Sequence, residues 1–318
     1  MAEKKAAVIL STYNGEKYIV QLLDSVRGQT YPNVSVYIRD DGSTDRTINL
    51  IRKYGKDMDI CFETGGHVGA VVSFFKLLSK VAENEEIGYI CFCDQDDVWK
   101  SDKIERAVNG IKENNHCETA ALYFSDYDIV NSDLEFIKRV KPAFLPCHIS
   151  FENALVQNII PGFTCVINKG AAILISENLP CAEKVVMHDW WAYLAVSALG
   201  RIVYDPESTV WYRRHENNTM DAETGKIRFW QNRLKRFLEN KGYVETLAAQ
   251  TEEFKRCFVR KLDDEKIEVI DEFLSAVEGR FYERLQYVFN GKTYYQAWVD
   301  NVLFKLILLF EKQFKAMW

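Results

Sequence analysis

The chain has 318 residues, of which 47% are hydrophobic, and a formal net charge of -6. This length and composition allow one large or two modest domains with buried cores. A mildly acidic chain lacks the strongly basic face that general nucleic-acid binding requires, so no nucleic-acid partner is expected. The eight cysteines include no C-x-x-C pair, which disfavours a zinc site.

The N-terminal segment and the hydropathy of the chain predict a cytoplasmic protein. Residues 1–5 lead directly into a strand-like run, without the long apolar core and cleavage site of a signal peptide. No stretch of the sequence reaches the roughly 18 uninterrupted apolar residues of a membrane span. We therefore expect a cytoplasmic location, with contact at the inner face of the plasma membrane left open.

Strand and helix patterns alternate through the first hundred residues. Short apolar runs predict four buried strands, at 6–10, 34–38, 58–62 and 87–93. Apolar residues at helical spacing predict three helices, at 18–26, between the capping residues 43–45 and Gly55, and at 68–81. This order predicts an α/β fold with a mostly parallel, Rossmann-like central sheet flanked by helices.

The pattern after residue 100 is mixed and then helical. Apolar runs predict strands at 120–124 and 163–167. Helical spacing predicts helices at 151–157 and 189–199. From about residue 226 the signal is almost wholly helical and free of proline, which predicts a helical C-terminal extension.

Polar clusters follow three of the four early strands. They are Thr12-Tyr13-Asn14, Asp40-Asp41 and Asp94-Gln95-Asp96-Asp97. Right-handed crossovers bring the carboxyl ends of parallel strands to one edge of the sheet, where α/β proteins bind their ligands. The sequence therefore predicts a binding site assembled from these three clusters.

The acidic run from Asp94 to Asp97 is the strongest single feature. Carboxylates one and three positions past a strand end can point to the same side of a loop. Their hard oxygen atoms suit Mg²⁺ or Mn²⁺, which commonly share their coordination with substrate phosphates. The alternative is a solvated turn in which Asp97 caps the next helix. The βαβ context and the second Asp pair favour the metal site.

The other two clusters indicate a nucleotide. Asp40 or Asp41 could accept hydrogen bonds from a ribose hydroxyl or a base N–H, although a plain turn with Gly42 is the alternative. Tyr13 could stack on a nucleobase or be an ordinary turn tyrosine. The glycines at 65–69 have the wrong spacing for either a dinucleotide fingerprint or a P-loop, so both of those enzyme classes are disfavoured.

Two later segments carry further candidates. Asp189, next to Trp190 and Trp191, is a candidate general base, with a helix N-cap as the alternative. In the segment 212–218, His215 is a candidate metal ligand and Arg213 or Arg214 a candidate phosphate partner. A charged surface loop is the alternative for that segment.

Three of these segments resemble the successive signatures of glycosyltransferase family 2, whose members have the GT-A fold. They are 11–15, 40–45 and 94–99, and the form D-Q-D-D-x-W is similar to that of bacterial rhamnosyltransferases. The resemblance covers about residues 5–220. It implies a GT-A catalytic domain over 1–222, with a nucleotide-sugar half at about 1–100 and an acceptor half at about 101–222. The helical region then occupies 223–318.

The resemblance also implies roles for matching residues. The implied donor-binding residues are Thr12, Tyr13, Asn14, Asp40, Asp41, Asp94, Gln95 and Arg214. Asp96 and His215 would hold Mg²⁺ or Mn²⁺ at the diphosphate. Asp189 would be the catalytic carboxylate, and Gly162, Trp190 and Trp191 would line the acceptor side. His188 departs from the family pattern, in which a glutamate usually precedes the catalytic aspartate.

The implied reaction is sugar transfer with inversion at the anomeric carbon. Asp189 would deprotonate an acceptor hydroxyl during a single direct displacement, and the metal would stabilise the departing diphosphate. The expected donor is dTDP-rhamnose, with a UDP-sugar next. The expected acceptor is a glycan or polyprenyl-linked hydroxyl in cell-surface polysaccharide synthesis. The alternatives are a sugar-nucleotide nucleotidyltransferase and a non-catalytic nucleotide-sugar-binding assembly module.

The C-terminal region has amphipathic and apolar stretches. Residues 226–238 place apolar side chains on one helical face and basic ones on the other, and 302–310 is strongly apolar. Such a helix can lie in a membrane interface, which favours peripheral membrane contact. Packing on the catalytic domain, or on a second copy in a homo-oligomer, is the alternative.

Overall fold

The structure is a computed structural model that describes residues 3–114, 119–141, 149–214 and 242–317, with the backbone alone over 311–317. These residues form two compact units. The first contains 3–141, 159–182 and 187–214 of the described chain, and the second contains 149–158, 183–186 and 242–317. The predicted boundary at residue 222 lies outside the described residues and stays a prediction.

The first unit opens with four parallel strands. They are β1 (Lys5–Thr12), β2 (Val34–Asp40), β3 (Ile60–Thr64) and β4 (Ile87–Cys93), in the spatial order β3-β2-β1-β4. Three helices connect them, α1 (Ile19–Arg27), α2 (Thr47–Tyr54) and α3 (Ala70–Ala82). Residues 6–10 of the central strand are buried on both faces, as their uninterrupted apolar run predicts.

The sheet continues beyond β4 with mixed strand directions. The added strands are β5 (Val98–Trp99), β6 (Ala121–Val130), β7 (Phe136–Val140), β8 (Val166–Asn168) and β9 (Arg201–Arg213). Strand β8 runs antiparallel to β4 and β6, β9 is parallel to β6, and β5 and β7 pair antiparallel with β9 and β6. The helices of this half are α4 (Lys103–Asn114), α6 (Lys169–Ser176) and α7 (His188–Leu199). The predicted α/β class with flanking helices is confirmed.

The strand predicted at 163–167 is only partly present. Gly162–Thr164 form a 3-10 turn, and the strand begins at Val166. Pro161 precedes the turn, and Thr164 and Cys165 donate backbone hydrogen bonds to the carbonyls of Pro161 and Gly162. The chain therefore turns back on itself where its apolar composition predicted extension.

The second unit is helical, as predicted. Its helices are α5 (Phe151–Ala154), α8 (Tyr243–Phe258), α9 (Asp264–Glu278), α10 (Phe281–Asn290) and α11 (Trp298–Met317). Phe273 of α9 packs against Phe304 of α11, with ring centroids 6.4 Å apart. The predicted amphipathic segment 226–238 lies outside the described residues. Across the described ranges, no helix combines the length and apolar character that crossing a bilayer requires.

Candidate active site

The carboxyl ends of β1, β2 and β4 meet at one edge of the sheet, as the sequence predicted. The backbone N–H of Asp41 donates to the carbonyl of Thr12 at 2.8 Å, so the parallel pairing of β1 and β2 extends into the polar clusters. Thr12 Oγ1 donates to Asp40 Oδ2 at 2.9 Å. Two of the three predicted clusters are therefore in direct contact.

Asp40 organises the turn that follows β2. Its buried carboxylate accepts hydrogen bonds from the backbone N–H groups of Gly42 and Ser43 at 3.1 and 2.8 Å, and from Ser43 Oγ at 2.6 Å. Gly42 has a φ of 90°, which favours glycine. Asp40 therefore stabilises a turn with Gly42, which was the alternative to nucleotide binding. Its predicted contact with the sugar donor stays a prediction.

Asp41 has a different set of partners. Its carboxylate is paired with the buried guanidinium of Arg39 and accepts from the N–H groups of Val68 and Gly69 at 3.0 and 2.8 Å. Arg39 also donates to the carbonyl of Gly66 at 3.1 Å. The Arg39–Asp41 pair therefore shapes the glycine-rich loop 65–69. Sequence reasoning missed Arg39, although a charged residue within a buried strand requires a partner.

Gln95 joins the acidic loop to the loop after β1. Its side-chain Oε1 accepts from the N–H of Tyr13 at 2.9 Å, and its Nε2 donates to the carbonyl of Tyr13 at 3.1 Å. A Cβ at Gly15 would lie 2.6 Å from Gln95 Oε1, so a side chain at position 15 would displace the side chain of Gln95. Asn14 adds a tie by accepting from the N–H of Thr44 at 2.9 Å. The backbone of Tyr13 is held while its ring remains exposed.

Negative charge accumulates at the acidic loop after β4. Burial raises the pKa of Asp94 to about 7, and the charges of Asp96 and Asp189 add to the rise. Burial also raises the pKa of Asp97 well above its ordinary value, again with help from Asp96 and Asp94. Asp97 Oδ2 is buried and has no hydrogen-bond partner among the described residues. A divalent cation bound here would offset the mutual repulsion of these buried carboxylates.

The described residues do not by themselves form a complete metal site. No group of three or more His, Cys, Asp or Glu side chains in the described part of the chain has the arrangement that a metal ion needs. The negative charges of Asp96 and Asp189 nevertheless both contribute to the raised pKa of Asp94, as expected for carboxylates of one site. The two observations agree if substrate phosphate oxygens complete the coordination, as is usual for Mg²⁺. The predicted ligand His215 lies outside the described residues.

Arg213, at the end of β9, holds the acidic loop from behind. Its Nε donates to the carbonyl of Asp96 at 2.9 Å, and its Nη1 donates to the carbonyl of Ser132 at 2.6 Å. Its Nη2 donates to Gln21 Oε1 at 2.6 Å, and the guanidinium lies 4.5 Å from the ring centroid of Tyr18. The Arg213 guanidinium is therefore engaged in contacts with other residues of the chain, whereas the side chain of Arg214 is exposed.

Asp189 faces this site from the start of α7. The N–H of Gly162 donates to its Oδ2 at 2.8 Å, and the N–H of Trp190 donates to its Oδ1 at 2.7 Å. The N-cap of α7 is Met187, so the N-cap alternative for Asp189 does not hold. A Cβ at Gly162 would lie 3.2 Å from Asp189 Oδ2, a tight contact that would push on the carboxylate. Trp191 is buried in the core and Trp190 nearly so, and their acceptor roles stay predictions.

His188 places a neutral group next to Asp189. Its ring stacks on Phe74 with centroids 3.6 Å apart and meets Phe92 edge-on at 5.3 Å. Burial lowers the pKa of His188 to about 3, so the imidazole is uncharged at neutral pH. The usual glutamate would add a second buried negative charge beside Asp189. The departure from the family pattern thus removes a charge and keeps a planar group.

An α/β sheet whose first four strands are parallel, with an acidic loop at their carboxyl edge and a carboxylate facing it, is the arrangement expected of a nucleotide-sugar glycosyltransferase of the GT-A fold. The model of glycosyl transferase family 2 matches residues 7–150. The dTDP-rhamnosyl transferase RfbG of Shigella flexneri is 32% identical over 222 residues, which cover 67% of this chain and 74% of that protein. The chain belongs to glycosyltransferase family 2 and is a glycosyltransferase similar to rhamnosyltransferases.

Solved structures share this fold. TarS of S. aureus superposes with a TM-score of 0.59 at 17% identity over 89% of this chain, which spans 47% of that structure. Its shorter form in complex with UDP-GlcNAc gives a TM-score of 0.55 at 16% identity, covering 92% of this chain and 93% of that one. The mannosyltransferase PcManGT of Pyrobaculum calidifontis, in complex with GDP-Man and Mn²⁺, gives 0.51 at 14% identity, covering 100% and 88%. Because the chain belongs to glycosyltransferase family 2, the nucleotidyltransferase and non-catalytic alternatives are not retained.

Proposed function

We propose that this glycosyltransferase moves rhamnose from dTDP-rhamnose, or failing that a hexose from a UDP-sugar, onto an acceptor hydroxyl with inversion. The observation that carries the proposal is the convergence of the acidic loop and Asp189 at the carboxyl edge of the parallel strands. The relative from Shigella flexneri supports the rhamnosyl donor by its name. The complexes of TarS with UDP-GlcNAc and of PcManGT with GDP-Man support a nucleotide-sugar donor in general.

In the proposed mechanism Asp189 removes the proton from the acceptor hydroxyl as that oxygen attacks the anomeric carbon. Hydrogen bonds from Gly162 and Trp190 fix the carboxylate plane, and the neutral ring of His188 adds no competing charge. A single base and a single displacement give inverted configuration. Apolar packing of the α7 start among Phe74 and Phe92 keeps water from the base.

We propose that the enzyme uses a divalent cation, Mg²⁺ or Mn²⁺, because the buried Oδ2 of Asp97, which has no hydrogen-bond partner in the described part of the chain, and the raised pKa values of Asp94 and Asp97 are features that a cation would offset. Asp96 and His215 would hold it. When bound, such an ion stabilises the negative charge of the departing nucleoside diphosphate as a Lewis acid. Asp94, Gln95 and the loop after β1 would then bind the donor, and Arg214 would reach its phosphates. The domain boundary at residue 222 and an acceptor half over 101–222 belong to the same proposal.

A thermal-shift screen of nucleotide sugars, with and without Mn²⁺, tests this proposal. A ligand that binds only the folded state raises the unfolding temperature, so dTDP-rhamnose should stabilise the chain most, and more with Mn²⁺ present than without it. The variant Asp96→Asn is the matched control and should lose the Mn²⁺-dependent part alone. If no nucleotide sugar shifts the transition, the donor assignment is wrong. A product that retains the donor configuration by NMR would contradict inversion.

We further propose that the acceptor is a glycan or polyprenyl-linked hydroxyl of a cell-surface polysaccharide, reached by peripheral contact with the inner face of the plasma membrane. An apolar stripe on α11 supports the membrane contact: its members are Trp298, Val302, Leu306 and Phe310, all exposed. They lie four residues apart, so they share one side of the helix.

Co-sedimentation with anionic liposomes at low salt tests the membrane contact. The full chain should pellet with the vesicles, because an exposed apolar helix face inserts into the headgroup region. A Val302→Gln/Leu306→Gln variant should remain in the supernatant. If the unmodified chain also remains there, the membrane proposal fails. A lipid-free homodimer that this variant dissociates would assign the stripe to self-association instead.

A further inference from the structure

The helix that follows the acidic loop begins with a buried lysine to which no role has been assigned so far. Lys103 is the first residue of α4, and its side chain is fully buried. A lysine is almost never fully buried unless its charge is paired. We propose that Lys103 is a positioning residue, which fixes the turn Gly162–Thr164 and thereby the N–H group that orients Asp189. This inference rests on the proposed function, because it requires Asp189 to be the base.

Two contacts hold the amine of Lys103. Its Nζ donates a hydrogen bond to the carbonyl of Thr164 at 3.4 Å and lies 4.6 Å from the ring centroid of Trp99. Within the described part of the chain this is its one hydrogen bond, although an ammonium group carries three donors. Burial lowers the pKa of Lys103, and the negative charge of Asp97 opposes this change. The side chain therefore costs stability that its contacts offset only in part.

The turn that Lys103 contacts also contacts Asp189. The N–H of Cys165 donates to the carbonyl of Gly162 at 2.9 Å, which closes the turn and makes it a single rigid piece. The N–H of Gly162 donates to Asp189 Oδ2 at 2.8 Å. A change in the position of the Thr164 carbonyl therefore moves the N–H group that holds the carboxylate. Lys103 can orient the base in this way without touching the substrate.

Cys165, directly after the turn, is influenced by both charged groups. Burial raises the pKa of its thiol well above the ordinary value, the charge of Asp189 adds to the rise, and the charge of Lys103 opposes it. The carbonyl of Cys165 accepts a hydrogen bond from the N–H of Phe92 on β4 at 3.1 Å. The turn is thus attached to β4 at this carbonyl and to α4 at the carbonyl of Thr164. Loss of the lysine would leave it the attachment to β4 and its contact with Asp189.

The substitution Lys103→Met should affect stability and catalysis in different ways. Methionine is close to lysine in length and shape but has neither the charge nor the donor. Replacing a buried charge by an apolar side chain of similar volume is commonly neutral or stabilising, so the unfolding temperature should stay the same or rise. The value of kcat should fall by about 10- to 100-fold, because a displacement of about 1 Å at a reacting group can cost that much. The KM for the donor should change by no more than about twofold.

Rates of nucleoside diphosphate release by the full chain test the assignment. The donors are dTDP-rhamnose and UDP-glucose with Mn²⁺, the acceptors are a panel of alkyl glycosides, and scanning calorimetry gives the unfolding temperature of each variant. In the Asp189→Asn background, Lys103→Met should lower kcat by no more than about twofold further, because no base is left to be positioned. Lys112→Met is the matched control on the same helix. Its side chain is 50% exposed, so the substitution should change neither kcat nor the unfolding temperature.

The outcomes separate this inference from the proposed function. An unchanged kcat in Lys103→Met overturns the role of Lys103 and leaves the glycosyltransferase proposal in place. A loss that adds in full to that of Asp189→Asn also overturns it, since the lysine would then support the core in general and not the base. If Asp189→Asn keeps its kcat, the assignment of the base fails and this inference fails with it. If the unmodified chain releases no nucleoside diphosphate with any glycoside of the panel, both proposals fail.

Discussion

Replacing Asp189 by asparagine should lower kcat by about 10²–10⁴-fold, the contribution of a positioned general base. The amide cannot take the proton of the acceptor hydroxyl. It also turns an NH₂ group toward one of the two backbone donors, the N–H of Gly162 or of Trp190, that now meet carboxylate oxygens. Steady-state rates with donor and acceptor varied separately measure the effect. The loss should appear in kcat, with the KM for the donor changed by no more than about twofold.

The control for this substitution is Asp24→Asn. Asp24 is an exposed carboxylate on α1 that pairs with Arg27 at 2.6 Å, so its loss tests the removal of one aspartate without touching the site. Its kcat should match that of the unmodified chain. Asp189→Asn with an unchanged kcat would show that another group removes the proton. A large rise in the donor KM with unchanged kcat would assign Asp189 to donor binding instead.

The parallel half of the sheet could be predicted because local pattern and tertiary environment agree there. A parallel strand covered by helices on both faces must be apolar throughout, and residues 6–10 and 87–93 show this without interruption. The polar clusters at the strand ends then follow from the rule that ligands bind beyond the carboxyl ends. The hydrogen bonds of Thr12 with Asp40 and of Tyr13 with Gln95 connect these clusters, as that rule leads one to expect.

The part of the sheet beyond β4 was harder to predict because its strands are determined by pairing with residues that are distant in the sequence. Strand β9 is 13 residues long, yet the polar stretch 205–208 interrupts its apolar pattern. Its pairing with β6 shifts register on both sides of Asp126, so no single alternation runs through either strand. The strand predicted at 163–167 is only partly present for a different reason: its first apolar residues belong to a buried turn.

The supporting residues of the site were missed for a related reason. Arg39 and Arg213 act through partners that sequence spacing does not reveal, and Arg213 contacts Gln21 across 192 positions. The sequence identified the residues that match a family motif, but not the residues that hold the motif in place. A buried strand that ends in an arginine is the one available signal, since such a charge must be paired.

Arg213→Gln should lower the free energy of unfolding by about 3 kcal/mol, which is typical of removing one partner from a buried charged network. The substitution deletes donors to the carbonyls of Asp96 and Ser132 and to Gln21 Oε1, and it removes the cation from the face of Tyr18. For a chain of 318 residues the unfolding temperature should fall by about 4–5 °C, which scanning calorimetry would measure.

Arg214→Gln is the matched stability control, because the neighbouring side chain is exposed and its substitution should change the free energy of unfolding by less than about 0.5 kcal/mol. The two variants also separate the scaffold from the ligand contacts. Arg213→Gln frees the backbone of Asp96, so the donor with Mn²⁺ should raise the unfolding temperature of this variant no more than the donor without Mn²⁺. If both variants are equally stable and both keep that shift, Arg213 does not hold the acidic loop. The geometry of the carboxylates proposed to bind the metal must then be set by the strand end alone.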